Sequence, residues 1–220
     1  MKTIKTVLKS LAWFLGIILA YFLAVQLVLR LLSKYMQLPI PPFLTKLIDN
    51  PLRRKVQSPE QYVKWMQTRE GETVLEIGPG AGPFSFALAQ AAGQSGHVYA
   101  LDIAAYVVSE LKKKILARGV GNMTVVQGSA SEIPFPDDYF DQVMMVTVFG
   151  EIPDKDLMLS EIKRVLKPGG KLGIGELLLD PDYARQKTVY DWCENAGLKG
   201  QSLHGSHFQY LMTFTKPEQF

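Results

Sequence analysis

Residues 73–83 read TVLEIGPGAGP, and they carry the strongest fold signal in the chain. Its first five residues are a short, mostly apolar run of the kind that forms a buried strand. Glycines then alternate at positions 78, 80 and 82, where positive φ angles and close approach of a ligand to the backbone are possible. A helical pattern follows from residue 84. This order predicts a ligand-binding loop at the carboxyl end of a first strand.

The rest of the chain after residue 70 alternates between short β-rich runs and helical runs, which predicts an α/β fold with an open, mostly parallel sheet. The last two strands are joined only by residues 204–207, so we expect an antiparallel hairpin at one edge. The other predicted strands are residues 97–101, 124–127, 140–148, 171–179, 198–203 and 208–214. The predicted helices are residues 58–68, 84–92, 105–118, 156–165 and 182–196.

The glycine loop differs from two common phosphate-binding motifs. Proline occupies position 83, where the dinucleotide motif G-x-G-x-x-G requires its third glycine. The sequence G-K-[ST] of a P-loop does not follow the glycines either. The loop therefore favours the nucleoside part of a ligand over a pyrophosphate group, and it argues against a nicotinamide oxidoreductase.

The motif E-x-G-x-G-x-G after a first strand resembles motif I of the class I S-adenosylmethionine-dependent methyltransferases. The resemblance covers residues 59–216 and is nearest to the ubiquinone/menaquinone-biosynthesis group, methyltransferase type 11. It implies a Rossmann-like class I methyltransferase fold, a seven-stranded sheet with an antiparallel terminal hairpin, and S-adenosyl-L-methionine as cofactor. The resemblance continues through Asp102, GSA at 128–130, IPFPDDYFD at 133–141 and LKPGGK at 166–171.

The resemblance also implies roles for residues in the first half of the domain. Gly78, Gly80 and Gly82 would shape the wall that receives the methionine half of the cofactor. Glu76 would polarise this loop or meet the cofactor's amino group through water. Asp102 would accept hydrogen bonds from both ribose hydroxyls, since a carboxylate presents two oxygens to a vicinal diol.

Further cofactor contacts are expected beyond the second strand. By resemblance, Ile103 packs on the adenine face. The family often has an acid after the glycine at position 128, but this chain has Ser129, followed by Ala130, so the contact with the adenine amino group is a weaker hydroxyl bond or comes from a neighbour. Thr147, near the end of the fourth strand, either lines the cofactor site or simply packs.

Catalysis of methyl transfer mainly requires alignment of the acceptor and exclusion of water, because the sulfonium methyl is already activated. A phenol or enol acceptor also requires a base. Glu151 is the first candidate for this base and Asp154 is the second. The alternative role for Glu151 is that of an acid at the start of a helix, where its charge interacts with the helix dipole. His204 and His207, in the loop between the last two strands, either face the cleft or are incidental.

The charge divides the chain into two unlike parts. Residues 1–69 carry 11 basic and 2 acidic side chains, and residues 70–220 carry 13 basic and 19 acidic ones. The formal charge of +3 therefore combines a front part of net +9 with a body of net −6. An acidic body without a basic, aromatic-interleaved patch argues against nucleic acid as a partner.

The basic front part contains a long apolar run. Residues 11–29 include only two positions that are not hydrophobic, and a helix of this length spans roughly 28 Å, close to the ~30 Å hydrocarbon core of a bilayer. We therefore predict a single-pass membrane protein that contacts the bilayer through residues 11–32. Basic residues are more numerous after the run, so the catalytic domain is expected in the cytoplasm.

The predicted organisation is a basic N-terminus with the transmembrane helix over 1–37, a proline-containing basic linker over 38–58 and the methyltransferase domain over 59–220. A tethered enzyme suggests a small, lipophilic acceptor, either a quinone precursor or a phospholipid head group. A small soluble or xenobiotic acceptor and a non-catalytic cofactor-binding domain are the alternatives. One cysteine excludes an internal disulfide and a cysteine-cluster metal site, and no metal is expected.

Overall fold

The computed structural model describes residues 56–218 and, nearer the amino terminus, residues 9, 13, 14, 16, 17, 20, 21 and 24. The chain divides into two compact units, Met1–Leu38 and Pro39–Phe220. The second unit contains the whole sheet and the predicted site residues.

In the first unit, the described residues are helical and exposed, with Trp13 at 76% and Tyr21 at 73% of their full accessibility. Most of residues 11–29, over which the transmembrane helix was predicted, lie outside the described residues. A membrane span requires about 20 consecutive apolar residues in one helix, and no helix in the part of the chain that the structure describes is long and apolar enough. This finding contradicts the predicted membrane localisation, and bilayer contact through residues 11–32 is unsupported.

The second unit alternates strands and helices. Its helices are α1 (Pro59–Met66), α2 (Pro83–Ala92), α3 (Ala105–Arg118), α4 (Lys155–Val165) and α5 (Gln186–Asn195). Its strands are β1 (Thr73–Ile77), β2 (His97–Asp102), β3 (Met123–Gln127), β4 (Phe140–Val146), β5 (Leu166–Leu177), β6 (Lys199–Gly205) and β7 (Gln209–Thr215).

The strands form one seven-stranded sheet in the order β3-β2-β1-β4-β5-β7-β6. Neighbours from β3 to β5 are parallel, and β7 is antiparallel to both β5 and β6. This arrangement confirms the predicted Rossmann-like sheet with an antiparallel terminal hairpin. The direction of winding reverses between β1 and β4, and ligands of such sheets bind at the carboxyl ends of the strands near this reversal.

The core consists of two layers, one on each face of the sheet. Alternate residues of a strand point to opposite faces, so Leu75 packs on the face covered by α4 and α5, and Val74 packs on the face covered by α1, α2 and α3. In β4, Met145 packs on the same face as Leu75, and Met144 packs on the same face as Val74. The layers cover both faces of the sheet and leave its carboxyl edge to the loops.

The sequence pattern predicted that helix α5 begins at Asp182, but in the structure it begins at Gln186. The Asp180 carboxylate accepts a hydrogen bond from the Asp182 N–H at 3.2 Å, and the Asp180 carbonyl accepts one from the Tyr183 N–H. Such side-chain bonds to nearby backbone compete with helix formation. Residues 178–185 are therefore a connection that crosses the carboxyl edge of the sheet.

Strands β5 and β6 are longer than the sequence pattern predicted. β5 begins at Leu166 because its first residues pair with the chain after β7, where the Gly169 N–H donates to the Lys216 carbonyl at 2.9 Å. β6 continues to Gly205, so His204 lies in a strand and not in the predicted loop. Pairing with β7 extends β6, and pairing with the chain after β7 extends β5; neither long-range contact has a local sequence signal.

Candidate functional site

The glycine loop after β1 lies at the carboxyl edge of the sheet, beside the end of β2. The Gly78 N–H donates to the Leu101 carbonyl at 2.9 Å, which ties the loop to β2. A Cβ at Gly78 would overlap the Val148 side chain, whereas a Cβ at Gly80 would have no atom within 4 Å. Gly80 adopts φ +52°, and Gly82 ends the loop as the N-cap of α2. The loop is thus closely packed at its first glycine and open at its second.

Asp102, the last residue of β2, connects the glycine loop to the start of α3. Its Oδ1 accepts a hydrogen bond from the Ala104 N–H at 2.8 Å, and the Gly80 N–H also donates to the carboxylate. Burial raises the pKa of Asp102, and these two hydrogen bonds oppose that rise. Ile103 beside it is 69% exposed. An oriented carboxylate next to an open apolar side chain suits a ribose and the face of a ring.

Glu76 lies in β1 beneath the glycine loop and is only 2% exposed. It accepts a hydrogen bond from the Ser85 hydroxyl of α2, a partner that the sequence did not reveal. Burial raises the pKa of Glu76 to about 8, and the hydrogen bond from Ser85 opposes this rise. The side chain therefore links β1 to α2, the two elements that the glycine loop joins, and its contact with the cofactor's amino group remains a prediction.

The turn after β3 lies at the same edge of the sheet, next to the end of β2. The Gly128 N–H donates to the Asp102 carbonyl at 3.1 Å and holds the ends of β2 and β3 together. The Ser129 hydroxyl oxygen accepts a hydrogen bond from the Ser131 N–H at 3.1 Å, which leaves it the O–H group and a second lone pair. Ala130 packs against the core.

Thr147 follows β4 and has φ +55°, which is rare for a β-branched residue. Its N–H donates to the Gly175 carbonyl of β5 at 2.8 Å, and its hydroxyl donates to the Val146 carbonyl at 2.8 Å. Strained backbone of this kind concentrates at functional sites. Thr147 stands where the winding of the sheet reverses.

Two of the acidic candidates after β4 have different surroundings. Asp154 is the N-cap of α4 and accepts a hydrogen bond from the Leu157 N–H at 2.9 Å, so the structure gives it the helix-start role. Glu151 is exposed and lies in the turn before that helix. Burial and the charges of Asp102 and Glu151 raise the pKa of Tyr106. This phenol, at the start of α3, lies within electrostatic reach of both carboxylates.

The two histidines lie in different places. Leu177 pairs with Gln209 in antiparallel register, so the turn before β7 lies at the carboxyl edge of β5. His207 is exposed in that turn, and its carbonyl accepts a hydrogen bond from the Tyr183 hydroxyl at 2.8 Å. The His204 ring stacks on Trp65 of α1 at 5.5 Å between centroids. His207 is therefore at the site edge, while His204 packs against a helix.

Glu176, near the carboxyl end of β5, was missed by the sequence analysis. It is 1% exposed, and its Oε2 accepts one long hydrogen bond from the Ala184 N–H at 3.4 Å. Burial and the nearby Asp180 raise the pKa of Glu176 to about 9. The available signal was one acid inside the apolar run LGIGELLL at 172–179. An acid in such a run is buried with the strand, at a cost that calls for a reason.

Comparison with known proteins agrees with this geometry. The model of the ubiE/COQ5 methyltransferase family matches residues 53–197. A demethylmenaquinone methyltransferase of Geobacillus kaustophilus is 36% identical over 118 residues, which cover 54% of this chain and 50% of the relative. A ubiquinone/menaquinone biosynthesis C-methyltransferase of Vibrio campbellii is 39% identical over 127 residues, which cover 56% of this chain and 48% of the relative. The chain spans about half the length of these curated relatives.

Among solved structures, a SAM-dependent methyltransferase from Aquifex aeolicus superposes with a TM-score of 0.75 at 27% identity, covering 80% of this chain and 99% of its own. The [4+2]-cyclase SpnF superposes with a TM-score of 0.67 at 16% identity, and the match covers 74% of this chain and 81% of the cyclase chain. The second likeness shows the fold alone. That protein is named for a different reaction, so function must be argued from the site and not from the fold.

The family match confirms the predicted enzyme class, an S-adenosylmethionine-dependent methyltransferase, and its cofactor. The residues present fit that cofactor. The glycine loop has an open position at Gly80, and the Asp102 carboxylate is held in place by two backbone N–H groups. The match spans about two thirds of the chain and includes β1 to β5 with the whole glycine loop. The chain belongs to the ubiE/COQ5 methyltransferase family.

Proposed function

We propose that this chain methylates a ring carbon of a quinone precursor in its reduced, hydroquinone form. The names of the relatives support this choice of acceptor, since those proteins are demethylmenaquinone and ubiquinone/menaquinone methyltransferases. One structural observation carries the proposal. The carboxyl edge of the sheet has two chemically different halves, which meet at the reversal between β1 and β4.

The first half, formed by the ends of β1, β2 and β3, would hold the cofactor. Gly80 leaves room for the methionine part, Asp102 would accept hydrogen bonds from the ribose hydroxyls, and Ile103 would cover the adenine ring. When bound, S-adenosylmethionine supplies a methyl group on a positively charged sulfur, which makes that methyl electrophilic. The protein's own contribution is to hold the acceptor in line with this methyl and to exclude water.

The second half, formed by the ends of β4 and β5 and the start of β7, would hold the acceptor. Leu178, Leu179 and Phe208 are exposed apolar side chains there, and the Leu178 N–H donates to the Phe208 carbonyl at 2.8 Å. These side chains offer an apolar surface for the hydrocarbon part of the acceptor. Glu151 and Tyr106 offer polar groups for its hydroxyls. An aromatic diol with an apolar substituent matches both surfaces.

The proposal is tested with the full chain, methyl-labelled S-adenosylmethionine and a naphthohydroquinone that carries a short prenyl side chain. We expect label in the organic extract, attached to a ring carbon by mass spectrometry. Asp102→Ala should weaken cofactor binding in calorimetry by about tenfold or more, since it removes hydrogen bonds to a charged group. Asp191→Asn, an exposed acid paired with Lys187 on α5, is the matched control and should bind normally.

Three results would contradict the proposal. Absence of cofactor binding heat for the wild-type chain would remove its basis. Cofactor binding without any transfer to the hydroquinone would reject the quinone precursor as acceptor. Label on an oxygen instead of a carbon would reject the C-methylation that the relatives' names suggest.

A further inference from the structure

Oε1 of Glu176 is the buried side-chain atom that lacks a hydrogen-bond partner among the residues that the structure describes. Buried polar atoms nearly always have a partner, and one left without a partner is costly. The side chain is 1% exposed, so bulk solvent does not reach it. A group from outside the chain is the simplest partner for such an atom.

The place of Glu176 in the sheet assigns it to the acceptor half of the edge. Gly175, immediately before it, accepts the hydrogen bond from the Thr147 N–H at 2.8 Å, so Glu176 lies beside the end of β4. In the register with β7, Glu176 pairs with Tyr210. Alternation along β5 directs its side chain to the same face as Ile174, which α4 and α5 cover.

The connection 178–185, hereafter the cover segment, lies over Glu176. Its only direct bond to the carboxylate that the structure records is the long one from the Ala184 N–H, at 3.4 Å. The Tyr210 hydroxyl donates to the Ala184 carbonyl at 2.6 Å and anchors the end of the segment. A Cβ at Gly150 would overlap the Asp182 backbone, so the segment fits closely against the turn after β4.

The groups around Glu176 are mostly acidic. Carboxylates approach it from the cover segment and from the turn after β4, and one ammonium approaches from α4. The residues concerned are Asp180, Asp182, Glu151, Lys155, Tyr183 and Tyr210. This excess of negative charge favours an acceptor that enters as a neutral hydroxyl and donates a hydrogen bond over one that enters as an anion.

We propose that Oε1 of Glu176 accepts the proton of the acceptor's ring hydroxyl and thereby acts as the general base of methyl transfer. This inference rests on the proposed function, because it requires a hydroxylated aromatic acceptor. The hydroxyl enters beneath the cover segment, between Glu176 and the turn that holds Glu151. The apolar substituent then lies against Leu178 and Leu179 at the mouth.

The proton and electron balance of this step is complete. The O–H bond of the acceptor breaks, its proton forms an O–H bond with Glu176, and its electron pair stays with the acceptor. That pair is delivered through the ring carbon, which forms the new bond to the methyl carbon, while the pair of the broken C–S bond stays on sulfur. The ring carbon then loses its proton and the oxygen regains one. One proton leaves to solvent for each methyl transferred.

The raised pKa of Glu176, about 9, supports the role of a base for a phenolic hydroxyl. Phenols have pKa values near ~10, and proton transfer is efficient between groups of similar pKa. An exposed glutamate would be too weak a base. The activity should therefore rise with pH toward about 9, since Glu176 must first lose its proton.

The test uses the full chain and the prenylated naphthohydroquinone described above. For Glu176→Gln we expect kcat to fall about 100-fold or more, with cofactor affinity unchanged and the alkaline rise of kcat removed. Glu176→Asp should keep part of the rate and the pH dependence. Asp191→Asn serves as control. Thermal unfolding of each variant verifies that it folds.

Different results would reject different claims. A Glu176→Gln variant with kcat within about threefold of wild type would overturn the role of Glu176 and leave the proposed function intact. A wild-type kcat that does not change between pH 6 and pH 9 would also overturn the role of Glu176 and leave the proposed function intact. A wild-type chain that binds the cofactor but methylates no hydroquinone would overturn the proposed function, and the inference with it.

Discussion

Glu76 and Glu176 are two buried acids at the same edge of the sheet, on its opposite faces. Each is the single acid of a mostly apolar strand, and burial raises the pKa of both. They differ in their partners. Glu76 accepts a hydrogen bond from the Ser85 hydroxyl, whereas Oε1 of Glu176 has no partner in the described chain. The comparison separates an acid that supports a loop from an acid that faces a binding space.

The pH dependence of stability is the largest expected consequence of these two acids. Their folded pKa values, about 8 and about 9, lie above the unfolded value of 4.5. Stability is therefore highest below pH 4.5 as far as these groups are concerned, and it falls as pH rises toward the folded pKa. Glu76→Gln and Glu176→Gln should each reduce this loss by about 3 kcal/mol between pH 5 and pH 7.5. Urea unfolding across this range measures the difference.

An equal slope in wild type and variants would contradict the buried, neutral state of these acids. The control is Asp191→Asn, whose carboxylate is half exposed in the folded chain. It should leave the slope unchanged.

Ser85→Ala would make Glu76 resemble Glu176, because it removes the hydrogen bond but keeps the buried carboxyl. We expect a loss of about 1–3 kcal/mol in the free energy of unfolding, the cost of an unsatisfied buried polar group. The pKa of Glu76 should rise further, since the Ser85 hydrogen bond lowers it. Urea unfolding and carboxyl titration by NMR measure both effects. A pKa unchanged in Ser85→Ala would show that Ser85 is not the partner.

Gly80→Ala tests whether the cofactor half depends on open space and not on a charged group. The position has φ +52° but no neighbouring atom near a Cβ, so the cost in stability should be only about 1 kcal/mol. Cofactor affinity should fall about tenfold or more, because the methyl group occupies the space of the ligand. Calorimetry and unfolding compare the two effects. A variant with normal affinity would remove Gly80 from the cofactor wall.

Asp191→Asn is expected to have the smallest effect of these substitutions. It breaks the exposed pair with Lys187 on α5, at 2.6 Å. Exposed pairs of this type contribute about 0–1 kcal/mol. Unfolding at low and high salt should show a difference below about 0.5 kcal/mol, and a larger one would disqualify this variant as a control.

The order of strands and helices in the methyltransferase domain was predictable because it depends on local patterns. The apolar runs form strands as predicted. The glycine loop follows β1, and Asp102 is the last residue of β2. The bounds that differ belong to segments with long-range partners. β5 starts earlier through pairing near Lys216, and α5 starts later through the turn at Asp180.

The fold and the family followed from the sequence alone, because they depend on motifs of neighbouring residues, and the same motifs predicted the residues of the cofactor half. Only the tertiary structure revealed the partners of the two buried acids. Ser85 reaches Glu76 from a helix, and Ala184 reaches Glu176 from the cover segment. Whether a buried carboxylate is satisfied depends on atoms brought together from distant parts of the chain. This is the physical reason why the unpartnered oxygen of Glu176 became visible only after the sheet and its loops were assembled.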